Sequence, residues 1–324
     1  MPTSIPSFAK INLGLKIGPV RADSFHELRT IYQTIALHDN IKVELQRGAG
    51  VEIRCKDSRI PTDESNTCYR VADRVTRALR GRGKVVIWIE KQLPVQGGLG
   101  AASSNAVATI FALERELGTP LAAEERLRIA AEVGSDLPLF LIGGTVLGID
   151  RGQEVYPLQD LPPMHLVVIT PSLGVSTPQA FANWDALVAR EAELTHAGAA
   201  GTIKQFGSVV YTWLSKGFLS TGVPAMGGDR AETQLLDLVR AGIENDFERV
   251  VFPEHPELRE AKRVLEREGA QYASLSGSGS TLYGIFASAE DASGAAERIN
   301  AAGYTAVATQ TLGREAYWKE LGLA

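Results

Sequence analysis

The sequence is poor in cysteine: Cys55 and Cys68 are the only two among its 324 residues, and no paired Cys/His spacing is typical of structural zinc. So few cysteines in a chain of this length favour a reducing compartment. We interpret both as buried apolar residues.

The sequence also has little excess charge and no long apolar run. Its formal net charge is −5, whereas nucleic acids and anionic membranes generally demand clustered Lys and Arg. No uncharged stretch approaches the length of a membrane span, and the first residues lack the pattern of a signal peptide. We therefore expect a cytoplasmic protein that binds neither nucleic acid nor membrane.

The overall composition, with 44% hydrophobic and 22% charged residues, and the length of the chain suit about two soluble domains. Pro157, Pro162 and Pro163 mark the boundary, so we predict domains 1–160 and 161–324, with a helical insertion at about 190–230. The predicted strands are 8–17, 31–37, 41–45, 51–54, 84–89, 139–149, 164–170, 271–276, 281–286 and 305–310. The predicted helices are two that begin near residues 67 and 103, and 122–132, 178–188, 203–216, 233–241, 257–268 and 290–302.

Very small residues dominate the segment Leu93–Asn105, LPVQGGLGAASSN, between an apolar strand and an apolar helix. Its glycines allow positive φ and close approach of a ligand to the backbone. We expect Ser103 or Ser104 to cap the helix, whose free amide groups and dipole favour phosphate. The segment predicts a phosphate site, although a tight turn without a ligand has a similar composition.

Two better-known phosphate loops fit this segment badly. A Walker A loop ends in Gly-Lys-Ser/Thr, and no lysine lies between Gly97 and Asn105. A dinucleotide-binding loop is followed by a helix and a parallel strand that ends in an acidic residue, whereas here Pro120 and residues 124–132 predict a second helix.

A second cluster of glycine and serine, Ser276–Ser280, also follows a predicted strand. Backbone amides in such a concave nest can hold phosphate oxygens. Two such loops suggest two walls of one nucleotide site, while a flexible β-turn is the alternative for this loop alone.

Three motifs carry a family resemblance: a first strand with Lys10, the loop Pro94–Asn105 and the loop Ser276–Ser280. In this order they make the chain similar to the GHMP kinases. The resemblance implies an α+β, two-domain fold. Its N-terminal half is like domain 2 of ribosomal protein S5, its C-terminal half is ferredoxin-like, and the active site lies in the cleft between them.

Four further segments resemble those members of the family that act on a cytidine-diphosphate-linked polyol: Ala9–Leu13, Phe25–Leu28 with Gln33, Gly134–Pro138 and Asn245–Glu248. The resemblance implies transfer of the ATP γ-phosphoryl group to the tertiary hydroxyl of an erythritol unit, in the non-mevalonate route to isoprenoid precursors. It also implies small-molecule partners, with the protein as monomer or homodimer.

The resemblance makes Lys10 and Asp136 the candidate catalytic residues. A hindered alcohol is a poor nucleophile, so a base and a nearby positive charge both help. Asp136 stands among Gly, Ser and Pro, where it would also serve as a helix cap. Lys10 lies on a strand whose alternation equally permits a solvent-facing side chain.

The resemblance implies ATP as phosphoryl donor and Mg²⁺ as its ion. Ser103 or Ser104 would hold the ion together with phosphate oxygens, because magnesium needs few protein ligands. The implied ATP-binding residues are Pro94, Gln96, Gly97, Gly98, Leu99, Gly100, Ala101, Ala102, Ser103, Ser104, Asn105, Ser276, Gly277, Ser278 and Gly279.

The resemblance implies that Phe25 and His26 meet the cytosine of the acceptor, with Phe181 stacking from another side, and that Asn12 and Thr177 add hydrogen bonds. Aromatic faces and an imidazole suit a planar base with a polar edge. Without its neighbours, His26 would be read as a surface histidine.

The chain departs from the family at several positions. Phenylalanine stands at 25 and 181 where tyrosine is common, and Ala101-Ala102 replaces glycines in the ATP loop. Asp150–Glu154 is a loosened form of a Gly-Arg-Gly-Glu segment. Two alternatives stay open: another small-molecule kinase of the family, acting on homoserine, mevalonate or a sugar, and a non-catalytic binder of nucleotide or metabolite.

Overall fold

Two β-sheets, one in each half of the chain, organise the computed structural model, which describes residues 2–95, 97–195 and 244–323. The first sheet has the strand order β3-β4-β2-β5-β6, with β1 paired to β2. Its pairs are antiparallel except β3 with β4. The strands are β1 (Thr3–Val20), β2 (His26–Gln46), β3 (Gly50–Cys55), β4 (Lys84–Glu90), β5 (Thr145–Ile149) and β6 (Glu154–Pro157).

Four helices accompany this sheet: α1 (Thr67–Ala78), α2 (Ala101–Leu117), α3 (Ala123–Val133) and α4 (Leu137–Phe140). Asn66 caps α1, because its side chain accepts a hydrogen bond from the Cys68 amide. Apolar residues of α1 and α2 pack against β2 and β4 in one buried core, to which Cys68 belongs. The buried apolar role that we predicted for Cys68 is confirmed, and Cys55 is half-buried at its margin.

The second sheet is antiparallel with the order β10-β7-β9-β8. Its strands are β7 (His165–Ile169), β8 (Tyr272–Leu275), β9 (Leu282–Phe286) and β10 (Ala306–Gln310). In the part of the chain that the structure covers, five more helices follow α4. They are α5 (Thr177–Thr195), α6 (Glu248–Glu254), α7 (Pro256–Arg267), α8 (Ala289–Ala301) and α9 (Arg314–Glu320).

The predicted α+β class with two halves is confirmed. The predicted division at residue 160 falls between the end of β6 and the start of β7. After β10, however, the chain returns to the first half, where Leu312, Tyr317 and Leu321 join the core of the first sheet. The last helix therefore belongs by packing with the N-terminal half.

Strand β2 corrects one prediction, since residues 31–37 and 41–45 form one strand of 21 residues. The polar residues near Asp39 suggested a break in the sequence. In the fold the buried Asp39 carboxylate accepts hydrogen bonds from the amides of Gln92 and Leu93, at 2.7 and 2.8 Å. The strand continues because these groups satisfy its charge.

The predicted strand 139–149 is wrong in its first part, where residues 137–140 form α4 and the strand begins at Thr145. Gly143 and Gly144 separate the two elements at φ +70° and +72°, which an L side chain rarely adopts. β6, α6 and α9 were not predicted. The predicted helices 203–216 and 233–241, and the insertion beyond residue 195, lie outside the described residues. No helix within the described ranges is long and apolar enough to cross a membrane.

Candidate functional site between two glycine-rich loops

The structure brings the two predicted glycine-rich loops into contact. The Thr281 amide donates to the Gly97 carbonyl at 3.1 Å, and the Ser276 hydroxyl donates to the Gly98 carbonyl at 3.0 Å. A methyl group built on Gly98, whose φ is +78°, would lie 2.1 Å from the Ser276 carbonyl oxygen. Only glycine therefore permits this approach of the two loops.

Helix α2 begins at Ala101 and not at the serines that we expected to cap it. Gly100 occupies the cap position in the left-handed region at φ +70°, and no side chain caps the helix. The first-turn amides of α2 are therefore left for water or a ligand. Ala101 and Ala102 are the first helical residues, a conformation with negative φ in which alanine fits.

A cavity of about 400 Å³ lies on one side of the first loop. Its walls are the loop itself, the start of α1 with Asn66 and Thr67, and the end of β4 with Ile89 and, just after the strand, Lys91. Apart from Lys91 and Arg59, its lining is uncharged. We call it the loop cavity. It suits a ligand that binds through backbone groups and apolar contacts.

Of the ATP-binding residues predicted in the first loop, most line this cavity. Pro94, Gly97–Ser103 and Asn105 line it. Ser104 is buried instead, with its hydroxyl 2.7 Å from that of Ser7. Of the two serines predicted to hold a metal, Ser103 alone therefore lines the cavity. Gln96 lies outside the described residues.

A buried carboxylate that we did not predict fixes the base of the loop. Besides the two amides already described, Asp39 accepts a hydrogen bond from Asn105 at 3.0 Å and pairs with Lys91. Its links thus reach β4, the start of the loop and α2. The sequence signal was weak, because Asp39 stands in a polar stretch that resembles a turn.

A second cavity, of about 450 Å³, lies on the other side of the loop, and Gly98 and Gly100 line both cavities. Its walls carry charged and polar side chains from both halves of the chain. We call it the lysine cavity. Its lining includes Lys10, Asn12, Tyr32, Asp136, Thr177, Phe181, Phe247 and Gly277–Gly279.

Lys10 is almost fully buried on β1 and points at the first loop. Its ammonium group donates to the Asn12 side-chain oxygen at 2.6 Å and lies 3.6 Å from Asp136 Oδ2. Burial lowers the pKa of Lys10, and the charge of Asp136 partly opposes this change. The alternative of a solvent-facing Lys10 is excluded.

Asp136 stands at the cap position of α4, but its side chain makes no capping bond. Its Oδ1 accepts a hydrogen bond from the Tyr32 hydroxyl at 3.0 Å, and its Oδ2 faces Lys10. One-third of the side chain is exposed. The position is that of a helix cap, while the carboxylate is directed into the lysine cavity.

The residues predicted to bind the acceptor are only partly brought together. Phe181 lines the lysine cavity, whereas neither Phe25 nor His26 is part of its lining. The His26 and Phe181 rings stack directly on each other, with centroids 4.7 Å apart and planes 12° apart. We expected the two rings to face each other across a gap. They do not, because α5 places Phe181 against the start of β2.

Phe25 is 53% exposed and lies under the guanidinium group of Arg151, 4.8 Å from its ring centroid. The other two predicted contacts, Asn12 and Thr177, are engaged within the chain. Asn12 donates to Thr30 at 2.7 Å as well as accepting from Lys10, and Thr177 and Ser278 share a hydrogen bond of 2.7 Å.

The second glycine loop is held by Asn245, whose role we did not predict although its segment carried part of the resemblance. Its side-chain amide donates to the carbonyls of Leu275 and Gly277 at 2.8 and 2.7 Å. The next residue, Asp246, accepts from the Ile17 amide and pairs with Lys16, both at 2.9 Å. This segment therefore links β1 to the second loop.

The chain matches two family descriptions, "GHMP kinases N terminal domain" over residues 66–144 and "GHMP kinases C terminal" over residues 231–305. It is similar to a 4-diphosphocytidyl-2-C-methyl-D-erythritol kinase of Solibacter usitatus, with 37% identity over 280 residues. That alignment covers 86% of this chain and 80% of the relative.

Two solved structures resemble the fold over nearly the whole chain. A crystal structure of 4-(cytidine 5'-diphospho)-2C-methyl-D-erythritol kinase has a TM-score of 0.72 and 28% identity, and covers 96% of this chain and 100% of that one. A homoserine kinase from Cytophaga hutchinsonii has a TM-score of 0.68 and 18% identity, and covers 97% and 96%. The second likeness is one of fold alone.

Among the described residues, no group of three or more His, Cys, Asp or Glu side chains is placed to hold a metal ion.

Proposed function

Because this chain belongs to the GHMP kinase family, we propose that it uses ATP to phosphorylate the 2-hydroxyl of 4-diphosphocytidyl-2-C-methyl-D-erythritol. The observation that carries the proposal is the position of the first glycine loop. It forms a wall of both cavities, and the pair Lys10 and Asp136 lies where the second cavity meets it. The relatives' names supply the acceptor.

The nucleotide occupies the loop cavity in this proposal, with its phosphates along Gly97–Ser103 and its terminal phosphate directed at Ser276–Gly279, of which Gly277–Gly279 line the lysine cavity and not the loop cavity. The uncapped amides at the start of α2 suit phosphate oxygens because they are free and lie at the positive end of the helix dipole. Glycine at 98 lets the two loops approach each other. The donor site is therefore built mainly from backbone.

The residues fit Mg²⁺ as an ion that arrives with the nucleotide. Ser103 lines the loop cavity, and magnesium commonly binds one or two protein oxygens together with phosphates and water. Bound there, the ion would neutralise charge on the phosphate oxygens.

The acceptor occupies the lysine cavity, with its hydroxyl at Asp136. The carboxylate accepts or orients the hydroxyl proton, and the Lys10 ammonium stabilises negative charge on the transferred group. The Lys10 ammonium also forms an ion pair with Asp136 Oδ2 at 3.6 Å. Both groups lie on the side of the loop opposite the nucleotide cavity.

The cytidine end of the acceptor lies toward Phe181 and His26. Asn12 and Thr177, in the lysine cavity, add hydrogen bonds. For His26 to stack on or bond to a cytosine, the His26–Phe181 contact must open or the base must join the stack at its outer face. The exposed ring of Phe25, which directly precedes His26 in the sequence, adds an aromatic surface.

The proposal extends to domain organisation and location. We place the division at about residue 160, with residues 311–323 packed on the first domain, and the active site between the two sheets. We place the enzyme in the cytoplasm, because a chain with only two cysteines suits a reducing compartment.

The test is ADP release from ATP and Mg²⁺ with four acceptors in parallel: the cytidyl substrate, mevalonate, homoserine and galactose. We expect turnover with the first and a kcat/KM at least about a hundredfold lower with the others. Turnover with one of the other three, and none with the first, would assign the chain to a different kinase activity. ATP binding without turnover of any acceptor would favour the non-catalytic alternative.

A further inference from the structure

Tyr32 is buried on β2 and makes one polar side-chain contact among the described residues: its hydroxyl donates to Asp136 Oδ1 at 3.0 Å. The residue pairs in register with Asn12 on β1, and the Lys10 ammonium lies 5.5 Å from its ring centroid. Tyr32 thus bonds to Asp136 Oδ1 while Lys10 lies nearest Oδ2, so that each carboxylate oxygen has a different partner.

The hairpin of β5 and β6 leaves room for this tyrosine. A methyl group built on Gly148 would lie 2.5 Å from Tyr32 Cε2, and one built on Gly152 would lie 2.5 Å from the Tyr32 hydroxyl oxygen. Gly152 lies at φ +95°. Two glycines therefore border the ring, one along its edge and one at its hydroxyl.

The Tyr32 hydroxyl keeps its proton. Burial raises the pKa of Tyr32 well above 10.0, and the neighbouring charge of Asp136 raises it further. Tyr32 is therefore a hydrogen-bond donor to the carboxylate throughout the physiological range and does not compete with it as a base.

We propose that Tyr32 is a positioning residue for phosphoryl transfer: its hydroxyl occupies Asp136 Oδ1 and thereby turns Oδ2 toward Lys10 and the acceptor hydroxyl. Asp136 needs such a restraint because α4 has four residues and uses no capping bond from this side chain. A hydrogen bond on one carboxylate oxygen and an ion pair at the other together restrict how the carboxylate can turn. The inference rests on the proposed function.

A purely structural role makes a different prediction. A buried hydroxyl needs an acceptor, and Asp136 would then be only the nearest one. Removal of the hydroxyl would in that case lower stability and leave catalysis unchanged.

The test compares Tyr32→Phe with Tyr317→Phe in the full chain. Tyr317 is also a buried tyrosine, and its hydroxyl donates to the Phe140 carbonyl at 2.7 Å. We expect Tyr32→Phe to lower kcat about tenfold, because a hydrogen bond to a charged group is lost, with both KM values within about twofold of wild type. Tyr317→Phe should keep the wild-type kcat and lose at least as much thermal stability.

A kcat for Tyr32→Phe within about twofold of wild type overturns the proposal, as does an equal loss of kcat in both variants. If Tyr32→Phe does not fold, Gly152→Ala replaces it, because the new methyl displaces the hydroxyl and should cause the same loss of kcat. Failure of the proposed function is a separate result, since wild-type protein would then show no turnover of the cytidyl substrate.

Discussion

The two cavities beside the first glycine loop have different kinds of lining residues. The loop cavity is lined by backbone, small residues and apolar side chains, with Lys91 and Arg59 as its charged members. The lysine cavity gathers Lys10, Asp136, Tyr32 and Asn12 within one hydrogen-bonded or ion-paired set. We therefore expect the loop cavity to select its ligand by shape and by the direction of backbone amide groups. The lysine cavity should select its ligand by the charge and hydrogen bonds of its side chains.

This difference predicts which property, turnover or nucleotide binding, a substitution in each cavity should change. On the lysine side, a change of one functional group should alter turnover and leave nucleotide affinity nearly intact. On the loop side, an added methyl group should weaken nucleotide binding, because the backbone must approach both the ligand and the second loop.

The largest expected effect is that of Asp136→Asn, which removes the proposed proton acceptor. We expect kcat to fall by about 10²- to 10⁴-fold, with the Kd of a non-hydrolysable ATP analogue within about twofold of wild type. ADP release and calorimetric titration measure the two quantities. Asp73→Asn is the control, since Asp73 pairs with Arg77 on α1 and lines neither cavity.

Lys10→Met should lower kcat about a hundredfold, because the charge beside the transferred group is lost. Wild-type kcat should also fall as the pH rises through the lysine pKa, which burial places below the ordinary 10.5. In Lys10→Arg the guanidinium stays charged, so whatever activity this variant retains should lack the alkaline decline. An unchanged alkaline decline in Lys10→Arg would remove Lys10 as its source.

Gly98→Ala should raise the KM for ATP at least about tenfold, because the methyl group would lie 2.1 Å from the Ser276 carbonyl and push the loops apart. Gly118→Ala is a matched control, since Gly118 has a similar φ of +63° and nothing within 4 Å of its added methyl. Both variants carry the strain of positive φ, so the difference between them measures the clash. Equal KM values in the two variants would contradict the close fit of the loops.

The smallest expected effect is that of Asp185→Asn, which weakens the 2.7 Å hydrogen bond between Asp185 and His26. Half of the Asp185 side chain is exposed, so we expect only about a threefold rise in the KM for the cytidyl substrate. The KM for ATP should stay constant. Gln179→Ala on the same helix is the control. If Asp185→Asn changed only the KM for ATP, the proposed position of His26 at the acceptor site would be wrong.

The two glycine loops could be located from the sequence because their signals are local. Lys10 was proposed from the family resemblance, and its catalytic role stays a prediction. Small residues between a strand and a helix predict a phosphate loop wherever the rest of the chain lies. The α+β class was implied by the family resemblance, and it is confirmed. The predicted start of a helix near residue 67 is also confirmed, because α1 begins at Thr67 behind its cap residue Asn66.

The partners of these residues were not predictable, because they depend on contacts distant in sequence. Tyr32 meets Asp136 across 104 positions, and Asp39 meets Asn105 across 66. In the sequence both Tyr32 and Asp39 have ordinary strand or turn surroundings. The helix start was misplaced by two residues for a different reason: Gly100 ends the loop by its own φ, so no serine cap is needed.

The most direct test of the division into two cavities is a structure of the Asp136→Asn protein with a non-hydrolysable ATP analogue and the cytidyl acceptor bound together. We expect the analogue's phosphates along Gly97–Ser103, its nucleoside in the loop cavity, and the acceptor hydroxyl next to residue 136. A nucleoside of ATP in the lysine cavity, or an acceptor hydroxyl remote from residue 136, would contradict the account.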